Sequence, residues 1–210
     1  MKRLTYLLIP GSVLLLCFCT SCFESESRRL KAYQSDRCNE ASGGKQVLFS
    51  GVPWGSSRDQ IVAVMGREPA FADEHVVVFE DHISGMPVNA IFYLFDNQLT
   101  RGDYVLSTNY PYENMYLDAF RDIEERLTIK YGDPAISDMV WNNNMFKYVQ
   151  KDYGLAISLG HMSMLSGRKI GCVRFNHTLS GGNSQIVHEI QYHHIKMKSI
   201  EENARAGVPL

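Results

Sequence analysis

The sequence has no excess of positive charge. Its 21 Lys and Arg residues are balanced by 23 Asp and Glu residues, so the formal net charge is −2 at pH 7. Domains that bind nucleic acid usually carry a strongly basic surface, so nucleic acid is not expected as a partner. Charged residues make up 21% of the chain and hydrophobic residues 45%, values typical of a globular protein rather than a disordered one.

Familiar catalytic and cofactor motifs are also missing from the sequence. It contains no Gly-x-Ser-x-Gly elbow, no phosphate-binding loop and no dinucleotide fingerprint. Four carboxylates on one predicted helix are interpreted as a solvated face rather than as an acid/base pair. They are Asp118, Asp122, Glu124 and Glu125. We therefore expect neither enzyme activity nor a cofactor.

One stretch comes close to a zinc motif. His188-Glu189 begins like the signature His-Glu-x-x-His, but Tyr192 stands where the second His belongs. The stretch also alternates like a strand, which would place His188 and His193 on opposite faces. We expect surface and edge-strand histidines and no metal site. A metal-dependent hydrolase is the alternative, and its ligands would be His188, His194 and either His177 or His161.

No apolar run in the sequence is long enough to cross a membrane comfortably as a helix, which takes about 20 residues. The run from Leu7 to Phe18 is interrupted by Pro10-Gly11 and follows Lys2-Arg3. A basic start, a short apolar stretch and then small residues are typical of a secretory signal peptide. The signal peptide is predicted over residues 1–21.

The residues that follow resemble a lipobox. In Cys19-Thr20-Ser21-Cys22, small residues precede a cysteine, as in bacterial lipoproteins, which are cleaved before that cysteine and lipidated on its sulfur. The resemblance implies a lipid on Cys22, an anchor that several acyl chains make effectively permanent. Phe23, in place of the Asp that retains such proteins in the inner membrane, implies the outer membrane, facing the periplasm. An ordinary secreted protein cleaved nearby, or an uncleaved anchor, is the alternative.

Residues 22–47 are interpreted as a flexible tether. Polar residues and Ser42-Gly43-Gly44 dominate this stretch, and no apolar period is sustained. Cys38 and Cys172 are the cysteines that remain once the signal peptide and Cys22 are set aside. In an oxidising compartment they would form a disulfide. Two free thiols, one of them buried, are the alternative.

Two segments, residues 48–110 and 111–194, follow one plan in which a helix precedes antiparallel strands. In the first segment, Ser57 and Gln60 have the spacing of a capping box, and Gly66 is expected to end the helix. Strands are predicted over residues 75–79, 88–95 and 101–107.

The second segment contains a long amphipathic helix with apolar residues at helical spacing. These residues are Tyr116, Phe120, Ile123, Leu127 and Tyr131. Strands are predicted over residues 145–150, 155–160, 170–175 and 186–192, and residues 195–210 are interpreted as a polar tail. The predicted fold is α+β, with two tandem helix-then-sheet units that form one continuous sheet and helices packed on one face.

The stretch Pro53–Pro69 reads Pro-Trp-Gly-Ser-Ser-x-x-x-Ile-x-x-x-Met-Gly-x-x-Pro. It resembles the opening of outer-membrane-assembly lipoproteins of the SmpA type. The tandem plan is similar to that of the β-lactamase inhibitor protein. These resemblances imply a protein that binds other proteins or scaffolds envelope complexes, and not an enzyme.

The residues expected to bind a partner are large aromatic side chains. Each of the tryptophans, Trp54 and Trp141, is either a core anchor or an exposed binding residue. The sheet is expected to present tyrosines, and these are Tyr93, Tyr104, Tyr148 and Tyr192. Three methionines either fill the core or form an adaptable contact face, and these are Met145, Met162 and Met164.

The predicted function is that of a membrane-anchored envelope lipoprotein that binds or scaffolds another envelope protein. Two alternatives stay open. One is the metal-dependent hydrolase described above. The other is a carrier of a small ligand or lipid, with a pocket between the sheet and the helices.

Overall fold

The computed structural model describes residues 47–206. The signal peptide, the lipidation of Cys22, nearly all of the tether and the role of Cys38 fall outside these residues and stay predictions. Within the described part of the chain, no helix is both long and apolar enough to cross a membrane.

Helix α1, Arg58–Met65, begins and ends where the sequence predicted. The Ser57 hydroxyl accepts a hydrogen bond from the backbone N–H of Gln60 at 3.4 Å, and the Gln60 side-chain oxygen accepts one from the Ser57 N–H at 2.9 Å. Two of the N–H groups that a helix leaves unpaired at its start are thereby satisfied. Gly66 ends the helix at a φ of 64°, a left-handed conformation that glycine adopts without strain.

Four strands follow α1 in an antiparallel arrangement. They are β1, Phe71–Ala72, β2, Val76–Ile83, β3, Met86–Phe95, and β4, Gln98–Leu106. Asp96 and Asn97, between β3 and β4, have φ angles of 48° and 54°. Two positive φ angles match a two-residue hairpin turn to the twist of its strands. The three strands predicted for this half of the chain are confirmed, and β1 is an addition to them.

The second half of the chain begins with helix α2, Glu113–Tyr131, in the segment where the spacing of apolar residues predicted a long helix. Its buried face carries Leu117, Phe120, Ile123 and Leu127. Four strands belong to this half: β5, Ile136–Trp141, β6, Met162–Ile170, β7, Val173–Gly182, and β8, Gln185–His194.

The strand predicted over 170–175 spans the turn between β6 and β7, and two further strands predicted in this half, over 145–150 and 155–160, are wrong. The chain there forms short 3-10 turns at Asn144–Phe146 and Gln150–Asp152 and helix α3, Tyr153–Ser158. The Asn143 side chain accepts the backbone N–H of Met145 at 3.0 Å, which starts the first turn. A short apolar run does not distinguish a strand from a buried helix. In the structure, Ala156 and Ile157 are buried as residues of helix α3.

All eight strands form one antiparallel sheet in the order β1-β2-β3-β4-β8-β7-β6-β5. Each half of the chain contributes four consecutive strands. The last strands of the two halves, β4 and β8, pair with each other from Arg101 opposite His193 to Val105 opposite Glu189. The two halves therefore meet at the centre of the sheet, and β1 and β5 lie at its edges.

Helices α1, α2 and α3 pack on one face of this sheet. The larger core cluster joins Ile61 of α1 and Ile123 and Leu127 of α2 to the apolar face of the strands. A smaller cluster joins Leu117 and Phe120 of α2 to helix α3. The predicted α+β fold, with two tandem units on a single continuous sheet, is confirmed.

Aromatic rings close the larger cluster at the centre of the sheet. The ring of Phe49, 1% exposed, lies 4.9 Å from that of Phe92, 4.6 Å from that of Tyr104 and 5.6 Å from that of Tyr192. Gly102 in β4 leaves room for this ring, because a Cβ atom there would overlap the Phe49 side chain. The sheet can pack against Phe49 only without a side chain at position 102.

Helix α4, Ile195–Arg205, follows β8 directly in the segment that the sequence suggested as a polar tail. It contacts β4 and β8. Its first residue, Ile195, is buried, and the hydroxyl of Thr100 donates to Glu201 at 3.1 Å. These contacts attach the first turns of α4 to the end of the sheet.

Candidate functional site

The histidines of the sequence-based metal hypothesis are placed in three separate surroundings. The His161 ring lies 5.6 Å from that of Phe146, and the His194 ring lies 5.8 Å from that of Trp54. Only His177 and His188 meet each other. Over residues 47–206, no group of three or more His, Cys, Asp or Glu side chains could hold a metal ion.

His177 and His188 are not the surface and edge-strand residues that the sequence suggested. Their side chains are 0% and 1% exposed, on the face of the sheet covered by α2. The Phe120 ring stacks on His177 at 4.0 Å. The reason for the wrong prediction is topological. Pairing of β8 with β4 turns β8 into a central strand, and β7 lies beside it.

A buried polar network surrounds these two histidines. The term polar network is used for six residues: Glu124, Thr128, Ser166, Arg168, His177 and His188. Glu124 is its centre: its carboxylate accepts hydrogen bonds from Arg168 at 2.7 Å, from Ser166 at 2.7 Å and from His177 Nδ1 at 2.9 Å. The expectation of a solvated carboxylate is therefore wrong for Glu124. It holds for Asp118, Asp122 and Glu125, which are exposed.

Arg168 connects the network to helix α2. Its guanidinium, 2% exposed, donates to the Thr128 hydroxyl at 2.7 Å, to the Gly132 carbonyl at 2.9 Å and to the Ser166 hydroxyl at 3.0 Å, besides its bond to Glu124. Three of these four partners belong to α2 or to its end, whereas Arg168 lies on β6. The buried arginine thus fixes the helix to the sheet through charge-assisted hydrogen bonds.

The electrostatics place the negative charge on Glu124 and leave the histidines neutral. Burial alone would raise the pKa of Glu124, but the hydrogen bonds from His177, Arg168 and Ser166 outweigh it and lower the pKa to about 2. Burial, together with the neighbouring His177, lowers the pKa of His188 to about 3. Burial also lowers the pKa of His177, against the opposing effect of Glu124.

These charges assign the protons along the line Glu124–His177–His188. His177 Nδ1 donates to the carboxylate, so a neutral His177 must accept at Nε2, where His188 Nε2 lies 2.7 Å away and donates. The remaining nitrogen, His188 Nδ1, is buried without a hydrogen-bond partner. The line resembles a proton relay, but it ends inside the core, so its evident role is to hold α2 on the sheet.

A cleft lies beside the polar network, between α2 and the loops at Leu48–Gly51 and Ile83–Ser84. Its volume is about 280 Å³. Tyr104, Ile190 and Tyr192 form its floor on strands β4 and β8. The sequence suggested a pocket between the sheet and the helices only as part of the ligand-carrier alternative. It indicated none of the lining residues, because the walls come from three segments distant in the chain.

The six aromatic residues predicted to bind a partner do not share one surface. The Trp54 indole N–H donates to the Val47 carbonyl at 2.8 Å. Trp141 packs edge-on against Tyr153, with ring centroids 5.2 Å apart. Both tryptophans are half-buried.

The tyrosines are divided in the same way. Tyr104 and Tyr192 face the helix side of the sheet, whereas Tyr93 lies on the opposite face under the Arg101 guanidinium, 4.6 Å from its ring. Tyr148 lies outside the sheet and is 89% exposed. The sheet therefore does not present the four tyrosines together.

Exposed apolar side chains are frequent along the edge strand β5 and the segment that follows it, and those of Met139 and Val140 lie on opposite faces of β5. The term apolar patch is used for the seven large ones that are 37–89% exposed: Met139, Val140, Met145, Tyr148, Val149, Leu155 and Leu159. Of the three methionines singled out in the sequence, Met145 is 68% exposed in this patch, Met162 is buried and Met164 packs at the edge of the smaller core cluster. Met145 thus has the exposure of a contact residue.

Cys172, between β6 and β7, is disulfide-bonded. No other cysteine occurs within residues 47–206. The pairing with Cys38 stays a prediction, because position 38 lies outside the described residues.

Comparisons with known proteins add little to this geometry. No protein-family model matches the chain, and no curated protein matches it. Among solved structures, the chain is similar to a DUF4309 family protein (YjgB) from Bacillus subtilis subsp. subtilis str. 168, at 11% sequence identity and a TM-score of 0.35, over 81% of this chain and 95% of that one.

Proposed function

We propose that this protein is a lipid-anchored protein of the cell envelope that binds another envelope protein through strand β5 and the apolar patch. The observation that carries the proposal is the concentration of seven exposed apolar side chains within residues 139–159. Single exposed apolar residues are ordinary on a protein surface, whereas a concentration of them is typical of an interaction site.

The edge position of β5 supports this proposal. β5 pairs with β6 and is the last strand of the sheet, so one side of its backbone has no partner strand within the described residues. The other edge strand, β1, has 2 residues, whereas β5 has 6. An edge strand of this length can accept an extended segment of a partner by strand addition, with main-chain hydrogen bonds for affinity and apolar side chains for specificity.

The sequence supports the envelope location. A signal peptide over residues 1–21 and a lipid on Cys22 would tether the domain to a membrane through the stretch before Val47. Such a tether confines the domain to the membrane surface and raises its effective concentration towards partners there.

Site-specific photo-crosslinking in the native host tests the contact. A photoreactive amino acid at Tyr148 is expected to give a discrete adduct with one envelope protein. The matched control is the same amino acid at Ile129, which is 80% exposed on α2, away from the patch. Adding Met145→Asp, which places a charge in the patch, is expected to reduce the Tyr148 adduct by at least fivefold. Equal adducts from positions 148 and 129, or none from 148, would refute the contact.

The anchor is tested separately by mass spectrometry of the mature protein. A diacylglycerol modification on Cys22 as the first residue is expected. Cys22→Ala should move the protein from the membrane fraction to the soluble envelope fraction. An unmodified thiol at position 22 would refute the anchor and leave the crosslinking result to be judged by itself.

A further inference from the structure

The wall of the cleft beside α2 is preformed by a tight turn. Phe49 and Val52 exchange two backbone hydrogen bonds, of 3.2 and 2.8 Å, around Ser50 and Gly51, which have φ angles of 47° and 79°. A non-glycine residue such as Ser50 seldom adopts a positive φ. The Ser50 hydroxyl lies 2.6 Å from the Tyr104 hydroxyl, and this hydrogen bond fixes the turn against the sheet.

The cleft has apolar and polar surface in similar amounts. Ile190 and Tyr192 form its floor and are 1% and 5% exposed, so its accessible apolar surface comes largely from Leu48, Ile83 and Tyr131. Ligand sites typically combine such a surface with a few polar groups that orient the ligand. At about 280 Å³, the cleft is close to the lower end of the usual size range and suits a small molecule.

The charge of the cleft has one sign. Arg126 and Lys130 line it from consecutive turns of α2, and no Asp or Glu does so. Within residues 47–206, Arg126 makes no hydrogen bond or ion pair, and Lys130 contacts only the ring of Tyr131, at 4.8 Å. Like charges four residues apart destabilise a helix slightly, so an anion between them would be favourable.

The carboxylates near Arg126 and Lys130 are not paired with them. Asp122, one turn before Arg126 on α2, is exposed and forms no ion pair within residues 47–206, and two other carboxylates are occupied elsewhere. Glu124, on the same helix, is bonded to Arg168 in the polar network, and Asp81, whose charge acts on Tyr104, pairs with Arg67 at 3.4 Å. In the structure, these carboxylates therefore do not neutralise the positive charges of Arg126 and Lys130.

We propose that this cleft binds a small amphiphilic carboxylate, with its apolar body against Leu48, Ile83 and Tyr131 and its carboxylate between Arg126 and Lys130. Arg126 offers a planar fork of donors that fits a carboxylate, and Lys130 supplies a second charge. This site is separate from the apolar patch at β5, and the proposal does not depend on the function of that patch.

Calorimetric titration with decanoate tests the proposal on the mature chain carrying Cys22→Ala, which has no acyl group to compete. We expect saturable binding of one decanoate per chain. The double variant Arg126→Gln/Lys130→Gln should weaken this binding at least tenfold while leaving the weaker binding of uncharged decanol unchanged. The matched control is Arg121→Gln on the same helix, where Arg121 is 63% exposed and pairs with Asp118.

Three results of the decanoate and decanol titrations would overturn the proposal. They are absence of saturable decanoate binding, an affinity that the double variant leaves unchanged, and decanol binding as tight as decanoate. Acetate tests the carboxylate without an apolar body. If acetate binds as tightly as decanoate, the cleft is a simple anion site, and the proposal of an amphiphilic ligand is refuted. Circular dichroism of each variant ensures that a lost affinity does not come from unfolding.

Discussion

The two halves of the chain have the same order of helix and strands, but they differ in the length of the helix and of one connection. Helix α1 has 8 residues and buries Ile61, whereas α2 has 19 residues and buries five side chains. β1 and β2 are joined by residues 73–75, whereas β5 and β6 are joined by residues 142–161, which contain α3. The longer helix and the longer connection are the additions that produce the cleft, the polar network and the apolar patch.

The difference shows how the same sheet can be covered in two ways. Around Phe49, aromatic rings fill the space between sheet and helices, and a glycine at 102 makes room for them. Under the middle of α2, the space holds Glu124 and Arg168 instead. A charge left without a partner in the core is costly, so the second arrangement depends on the pairing of Glu124 with Arg168, whereas the first depends on shape.

The largest effect is expected from breaking the ion pair of the network. Arg168→Met would leave Glu124 without its guanidinium. We expect the free energy of unfolding to fall by roughly 3 kcal/mol, the low end of the range for a buried pair, because the Glu124 side chain is 20% exposed. Adding Glu124→Gln should recover part of this loss, because no charge then remains unpaired. Urea denaturation measures both. The exposed pair formed by Arg121 and Asp118 is the control, and Arg121→Met should change stability by less than about 0.5 kcal/mol. Equal effects at 168 and 121 would contradict the comparison.

The second expected effect is acid sensitivity in the α2 half. The pKa of His188 is lowered from 6.5 to about 3 in the folded protein, so the unfolded chain binds more protons below pH 6.5. The stability contributed by neutral His188 is therefore present above pH 6.5 and is lost as the pH falls from 6.5 towards 3, by up to about 1 kcal/mol per pH unit. The contribution of Glu124, with its pKa lowered from 4.5 to about 2, is lost at lower pH, from 4.5 downwards.

Urea midpoints measured between pH 7 and 4 test this acid sensitivity. His188→Gln should flatten the dependence relative to the parent protein. His75→Gln serves as the control, because the His75 side chain is 71% exposed, and it should leave the slope unchanged. An unaltered slope in the His188 variant would show that protonation elsewhere controls acid unfolding.

The third and smallest effect concerns the aromatic half. Gly102→Ala would force a methyl group against the Phe49 ring, and overpacking of this kind costs about 1–3 kcal/mol. Combining it with Phe49→Leu should cost less than the sum of the two single changes, because a smaller side chain relieves the overlap. Thermal unfolding of the four proteins in this cycle gives the coupling. Strict additivity would show that Gly102 and Phe49 do not constrain each other.

Sequence reasoning reached the parts of this molecule that local interactions specify. Ser57, Gln60 and Gly66 predicted both ends of α1, because a capping box and a left-handed terminator act within a few residues. It was wrong over residues 145–150 and 155–160, because short apolar runs do not distinguish a strand from a helix. Glu124 was also expected to be exposed to solvent. It lies four residues after Phe120 and three before Leu127, a spacing that indicates the inner face of α2.

By itself, the sequence determined the fold class, the tandem plan and most of the helix and strand boundaries of the first half, because periodicity and turn chemistry are local. The tertiary structure decided that His177 and His188 would meet, that Arg168 would bridge β6 to α2, and that Arg126 and Lys130 would line one cleft. Each of these contacts depends on the register between strands and on the pairing of β4 with β8. That pairing is a choice among long-range partners, which no short stretch of sequence specifies.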